Sequence, residues 1–219
     1  MNRNTLIVPV SAALMLLGLA SSLGAQEDRE VRTVHQAYFA GDVDKVEIDV
    51  TLAALVVEGV PDGRQAEVEV ILRCGRANDL KCQTRANRIR LAPRIRGSKL
   101  ALRLKGTSRG QAGGIEAEMR VKLPDHVALE IDLAGGEVSI QGMRHHVELD
   151  SGGGDIDFFA DQDAIGSFKV DVGIGKGTLW LRDSRIEASG WPRSITWKGS
   201  GQANVEIDLG GGEIKARLE

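Results

Sequence analysis

One pattern recurs four times in the second half of the chain: an alternating apolar and polar segment, an aspartate, a glycine cluster and a second alternating segment. The copies are VALEIDLAGGEVSI (127–140), HVELDSGGGDIDF (146–158), FKVDVGIGKGTLWL (168–181) and NVEIDLGGGEIKARL (204–218). Their aspartates are Asp132, Asp150, Asp171 and Asp208. Each copy holds about two short strands and cannot bury its apolar face alone, so the copies are expected to stack on one another.

The alternation within one copy assigns its two faces. In 146–158, Val147 and Leu149 point to one side, and Ile156 and Phe158 continue that side after the glycines. The segment VEIDVTLAALVVEGV (46–60) reads as a diverged first copy with Asp49 in the aspartate position, and 185–199 reads as a degenerate copy. The sequence therefore predicts an all-β chain whose second half is an irregular β-helix or β-solenoid.

The glycines are interpreted as corners, because glycine supplies positive φ and close backbone approach where a ribbon turns. A calcium-binding repeat would place G-G-x-G-x-D every nine residues, and a phosphate loop would end in G-K-[ST] before a helix. Neither pattern is present. The predicted structural corner glycines are Gly135, Gly136, Gly152, Gly153, Gly154, Gly210, Gly211 and Gly212.

The first half of the chain contains strictly alternating segments joined by glycine-containing turns, which favours antiparallel strands. These segments are 65–74, 87–97, 99–106 and 115–124. A hairpin of 99–105 with 115–123 would place Arg103 opposite Glu116 or Glu118. Between the first two segments, a short helix is expected with Asn78 or Asp79 as its N-cap.

The N-terminus has the composition of a secretory signal peptide over 1–25, with an early arginine, an apolar run and small residues at its end. Residues 26–40 are expected to be a linker, and 41–219 a single β-repeat domain. Exported proteins are found in oxidising compartments, so Cys74 and Cys82 are predicted to form a disulfide. The expected location is the periplasm, the cell envelope or the extracellular space.

Positive charge is concentrated in 73–109, where twelve lysines and arginines stand against Asp79 alone, although the whole chain has a net charge of −3. Alternation would place apolar residues on one face and a basic stripe on the other. Such a stripe attracts anionic polymers; the alternative is neutralisation by acidic residues on neighbouring strands. The candidate binding residues are Arg88, Arg90, Arg94, Arg96, Lys99, Arg103 and Lys105.

The V-x-I-D-V segment at 46–50 and the D-x-GGG-[DE]-[IV] corners after Asp150 and Asp208, together with the signal peptide, resemble a bacterial β-strand-repeat family. This family is labelled "putative adhesin" and is a domain of unknown function; the similarity spans about residues 40–219. The resemblance implies an irregular β-helix or β-roll in an envelope protein. It carries over no catalytic residues.

The sequence leads to a non-enzymatic, exported interaction scaffold with no cofactor, no metal site and no specific nucleic-acid recognition. The expected partners are anionic polysaccharide, lipid headgroups or another envelope protein. One alternative is a carbohydrate-active β-helix enzyme, in which Asp155 and Asp157 would be the first carboxylate pair to test. Another alternative is a calcium-stabilised structural module. Trp180, Trp191 and Trp197 would stack on sugars if they were exposed, and otherwise pack in the core.

Overall fold

The computed structural model describes residues 30–39, 43–75, 79–107, 114–188 and 193–219, and the predicted signal peptide lies outside these ranges. The described chain is all-β, as the sequence predicts, with one α-helix and a short 3-10 turn at Gln162–Ala164. In the first half the elements are β1 (Glu30–Phe39), β2 (Lys45–Leu52), β3 (Ala54–Val60), β4 (Gln65–Cys74), α1 (Leu80–Ala86), β5 (Arg90–Arg96), β6 (Lys99–Lys105) and β7 (Ile115–Pro124). In the second half they are β8 (Ala128–Gly135), β9 (Val138–Gln141), β10 (Val147–Ser151), β11 (Gly154–Ala160), β12 (Ile165–Trp180), β13 (Arg185–Ala188), β14 (Arg193–Lys198) and β15 (Ala203–Leu218).

Five strand–corner–strand units pair in parallel, with their aspartates side by side. Asp49 pairs with Asp132, which pairs with Asp150, and the line continues through Asp208 to Asp171. The diverged first copy is therefore in the same register as the others. The order of the units across the sheet is 45–60, 128–141, 147–160, 203–218 and 165–180, so the last unit in the chain lies between the third and fourth.

A β-solenoid, which the repeats predicted, is not what the structure shows. The sheet is mixed: β1, β4 and β7 are antiparallel at one end, β5 and β6 form an antiparallel hairpin, and the units stack out of chain order. The segment 185–199 is not a repeat unit, because β13 and β14 each pair antiparallel with β12. Antiparallel strands are thus present in the first half, but they flank a parallel centre.

The units give the sheet two rows of strands that pack against each other. The first row contains β5, β6, β2, β8, β10, β14 and the first halves of β15 and β12; the second contains β1, β4, β7, β3, β9, β11, β13 and the second halves of β15 and β12. The core lies between the rows, where alternate residues of both are buried. Phe158 of the second row and Phe168 of the first are both fully buried.

The eight predicted corner glycines lie where the units cross from one row to the other. Gly154 has φ +127, and a Cβ there would overlap the carbonyl oxygen of Gly136 in the neighbouring unit. Successive units can therefore approach closely only if a glycine occupies this position.

Two features lie beside the repeat units. Residues 30–39, which the sequence assigned to a linker, form β1 and pair with β4. The sequence of β1 alternates only weakly, so the pattern does not predict this edge strand, which is held by its backbone hydrogen bonds to β4. The predicted short helix is present as α1, and Asp79 caps it by accepting hydrogen bonds from the backbone N–H groups of Lys81 and Cys82. A disulfide joins Cys74 to Cys82, with a Cα–Cα distance of 6.0 Å.

Candidate functional site

The antiparallel hairpin of β5 and β6 lies at the edge of the first row, and we call its outer face the basic hairpin. Leu100, Leu102 and Leu104 of β6 are buried, so the alternate side chains of both strands face outward. The predicted basic stripe is therefore assembled on one surface. Its members are Arg90, Arg94, Arg96, Lys99, Arg103 and Lys105, and Arg88 lies exposed in the turn before β5.

Only part of the basic hairpin is neutralised within the protein. Lys99 forms an ion pair with Glu47, and Arg103 lies 3.2 Å from Asp49. No described residue forms an ion pair or a side-chain hydrogen bond with any of the other members on the two strands. These free members are Arg90, Arg94, Arg96 and Lys105.

The predicted hairpin between 99–105 and 115–123 is wrong, and so are the partners expected for Arg103. β6 pairs with β2 and β5 in the first row, whereas β7 pairs with β3 and β4 in the second. Glu118 instead forms an ion pair with Arg73 at 2.6 Å. Alternation identifies both segments as strands, but it does not show that they belong to different rows.

Beside the basic hairpin, the outward side chains of the repeat units form two lines of carboxylates, here called the carboxylate ladders. The glutamate ladder contains Glu47, Glu130, Glu148 and Glu206, and the aspartate ladder contains Asp49, Asp132, Asp150, Asp208 and Asp171. Neighbouring strands lie about 4.8 Å apart. Like charges directly opposite each other destabilise a sheet. Neighbouring carboxylates in each ladder therefore repel one another, and nearby cations offset part of this repulsion.

Cations lie beside both ends of the ladders. At the end next to the basic hairpin, Lys99 pairs with Glu47 and Arg103 with Asp49, and Lys45 forms an ion pair with Glu130. At the other end, Nζ of Lys169 lies 2.6 Å from Glu206 and 3.1 Å from Asp171. Hydrogen bonds to these two carboxylates raise the pKa of Lys169. Among the described residues, no cation forms an ion pair with Asp132, Asp150 or Asp208.

The electrostatics of the aspartate ladder differ between adjacent members. Burial and then repulsion by Asp171 raise the pKa of Asp208, and Asp150 and Glu206 add to this effect. By contrast, a hydrogen bond from Ser194 and the proximity of Lys169 lower the pKa of Asp171. The ladder borders an open concavity of about 750 Å³ whose rim includes Arg193.

The carboxylates that the enzyme alternative would use lie on the opposite face of the molecule. Asp155 and Asp157 both point outward from β11, and Asp155 accepts a hydrogen bond of 3.1 Å from the backbone N–H of Glu213. In the described ranges, no group of three or more His, Cys, Asp or Glu side chains is arranged to hold a metal ion.

A line of aromatic and arginine side chains crosses the outer face of the second row, and the alternation of the sequence does not reveal it. We call it the arginine–aromatic ladder: Phe159 of β11, Arg217 of β15, Trp180 of β12 and Arg185 of β13. The guanidinium carbon of Arg217 lies 5.0 Å from the ring centre of Phe159 and 5.3 Å from that of Trp180. Arg185 covers the Trp180 ring at 5.2 Å. Trp197 packs against the core instead, and Trp191 lies outside the described residues.

Among the described residues, no helix has the length and apolar character needed to cross a membrane. No protein-family model matches the chain, and no curated protein sequence matches it significantly.

Some solved structures resemble the chain at low sequence identity. A "putative cell adhesion protein" from Clostridium sporogenes is 12% identical with a TM-score of 0.47, and the match covers 86% of this chain and 100% of that one. A "putative adhesin" from Bacteroides fragilis is 11% identical with a TM-score of 0.34, over 85% and 97% of the two chains. A "putative lipid binding protein" from Parabacteroides distasonis is 7% identical with a TM-score of 0.24, over 86% and 97%. At such scores these likenesses carry no argument about the activity of this chain.

Proposed function

We propose that the chain is a non-enzymatic interaction scaffold, exported to the cell envelope or beyond it, which binds anionic polymers through the basic hairpin. The observation that carries this proposal is the set of free cations on the hairpin, Arg90, Arg94, Arg96 and Lys105, in a chain whose net charge is −3. Cations that are paired inside a fold contribute little to binding, whereas unpaired cations on one surface attract polyanions.

The shape of the hairpin favours a polymer over a small anion. The two strands of seven residues each extend over roughly 23 Å. The free cations are distributed along this length, with Arg94 and Arg96 on one strand and Lys105 opposite Arg90 at the far end. A polymer that carries regularly repeated carboxylate, sulfate or phosphate groups would contact several of them at once.

The proposal is tested by binding to heparin and to polygalacturonate at two salt concentrations, with anionic phospholipid vesicles as a separate arm. The test variant is Arg90→Gln/Arg94→Gln/Arg96→Gln. The matched control is Arg64→Gln/Lys176→Gln/Arg144→Gln, which removes the same charge from sites away from the hairpin. We expect the test variant to lose about tenfold or more in polymer affinity and to show a smaller dependence on salt.

An equal loss in the control would show that net charge, and not the hairpin, governs retention. Failure of the wild-type chain to bind either polymer at low salt would overturn the proposal. Binding to the vesicles but to neither polymer would show that the ligand of the hairpin is a lipid surface and not a polymer.

A further inference from the structure

The arginine–aromatic ladder lies on the face opposite the basic hairpin and is independent of it. Its members are directly opposite one another on four adjacent strands. The residues next to them in sequence, Phe158, Leu179 and Leu218, are buried in the core, so the ladder side chains point outward. The sheet therefore holds Arg217 between two rings at the protein surface.

The guanidinium carbon of Arg217 lies over the Phe159 ring on one side and over the Trp180 ring on the other, at a cation–π distance from both. Within the described part of the chain, no carboxylate or carbonyl accepts a hydrogen bond from Arg217. The N–H groups of Arg217 therefore have no oxygen acceptor among the described residues. Arg217 is held between two rings and can offer its donor fork to a ligand.

A planar donor fork matches the two oxygens of a carboxylate better than a point charge does. The aromatic flanks add apolar surface beside the fork, against which the C–H groups of a sugar can pack. The neighbouring cations are less available: Lys215 lies 3.2 Å from Glu213, and Arg185 forms an ion pair with Glu187. The surroundings thus favour one specific carboxylate over a general attraction for polyanions.

We propose that Arg217, flanked by Phe159 and Trp180, is a binding site for the carboxylate of a uronic acid sugar within an acidic polysaccharide. The carboxylate accepts two hydrogen bonds from the guanidinium, and the sugar ring packs against one of the flanking aromatic side chains. This site is separate from the basic hairpin, so the chain would hold acidic glycan on two opposite faces.

The test uses hexagalacturonate as the probe and the full chain with the basic-hairpin triple substitution as the protein, so that the hairpin does not contribute to the affinity. Arg217→Lys keeps the charge but removes the donor fork, and we expect it to lower the affinity on the order of tenfold. Lys215→Gln is the matched control, since it removes a cation from the same strand and face. We expect it to change the affinity less than about twofold.

A second measurement reports on the site itself. In a nitrogen–proton NMR spectrum, the indole N–H of Trp180, assigned with Trp180→Phe, is expected to shift on addition of hexagalacturonate and to stay unchanged with neutral maltohexaose. The basic-hairpin triple variant should show the same shift, which separates this site from the function proposed above.

Three results would overturn the assignment. An unchanged affinity when Arg217→Lys is added to the hairpin-substituted chain would show that the donor fork is not used. An equal loss in Lys215→Gln would indicate a general charge effect. Equally strong displacement by inorganic phosphate or by anionic vesicles would indicate a generic anion site without recognition of a sugar.

Discussion

Phe158 of β11 and Phe168 of β12 lie with their ring centroids 5.6 Å apart and their planes tilted by 54°. They belong to different rows of the sheet, and both are fully buried. This pair therefore joins the two rows in a chain with few aromatic residues, in which most of the remaining core is aliphatic.

We expect Phe158→Ala to lower the free energy of unfolding by about 3–5 kcal/mol, since it removes a large ring from a packed core. A double-mutant cycle with Phe168→Ala should give a coupling of about 0.5–1.5 kcal/mol. Urea denaturation of the four proteins measures both quantities. Purely additive losses would show that the rings do not interact across the rows.

Asp208→Asn should stabilise the protein at neutral pH, because it removes one charge from the middle of the aspartate ladder. Like charges on opposed strand positions cost about 0.2–1 kcal/mol, and we expect a gain of this size. Asp44→Asn, an exposed position just before β2, is the control and should change stability little.

The pH dependence of this gain has a defined sign. Burial and repulsion by Asp171 raise the folded-state pKa of Asp208 above its ordinary value. The stability contributed by a carboxyl with a raised pKa is full below its unfolded pKa of about 4 and is lost as pH rises through the folded pKa. The advantage of Asp208→Asn should therefore shrink as the pH falls towards 4, and a gain that does not vary with pH would contradict this account.

Gly154→Ala should destabilise the sheet by at least about 2–3 kcal/mol, because it places a side chain at positive φ where the carbonyl of Gly136 lies. Gly211→Ala is the matched control in the neighbouring unit, where the nearest atom to a Cβ is the Ile174 carbonyl oxygen at 3.6 Å. Thermal and urea unfolding compare the two variants. Similar losses in both would show that the corner tolerates side chains equally at each glycine.

Loss of the Cys74–Cys82 disulfide should cost about 2–3 kcal/mol, chiefly by releasing the unfolded chain from a short loop. Both sulfur-bearing residues are buried, so Cys74→Ala/Cys82→Ala also loses some packing. Reduction of the wild-type protein keeps the side chains and isolates the effect of the bond. Unchanged unfolding midpoints after complete reduction would exclude a stabilising role.

The repeat pattern predicts the local structure well. It places Asp49 in register with Asp132, and it correctly separates the buried Val147 and Leu149 from the outward acidic residues. These features depend only on alternation and on glycine, both of which are visible within one unit.

The order of the units could not be predicted, because every copy presents nearly the same strand to its neighbours. Nothing in the pattern distinguishes 165–180 from 203–218 as the neighbour of 147–160. For the same reason, the pattern does not predict the partners of Arg103 or the contact of Arg217 with Trp180. Both depend on which strands lie side by side, and alternation defines the faces of a strand without defining its neighbours.

The position of β15 has a consequence for the way the protein folds. β12, β13 and β14 are close in sequence and can pair locally, whereas β15, which lies between β12 and the pair β10 and β11, comes last in the chain. The parallel centre is completed only when 203–218 enters this gap, a contact of long sequence separation that forms slowly. Until then the edges of two strands with the same pattern stay unpaired, and we expect the folding chain to be most prone to strand exchange with another copy at this stage.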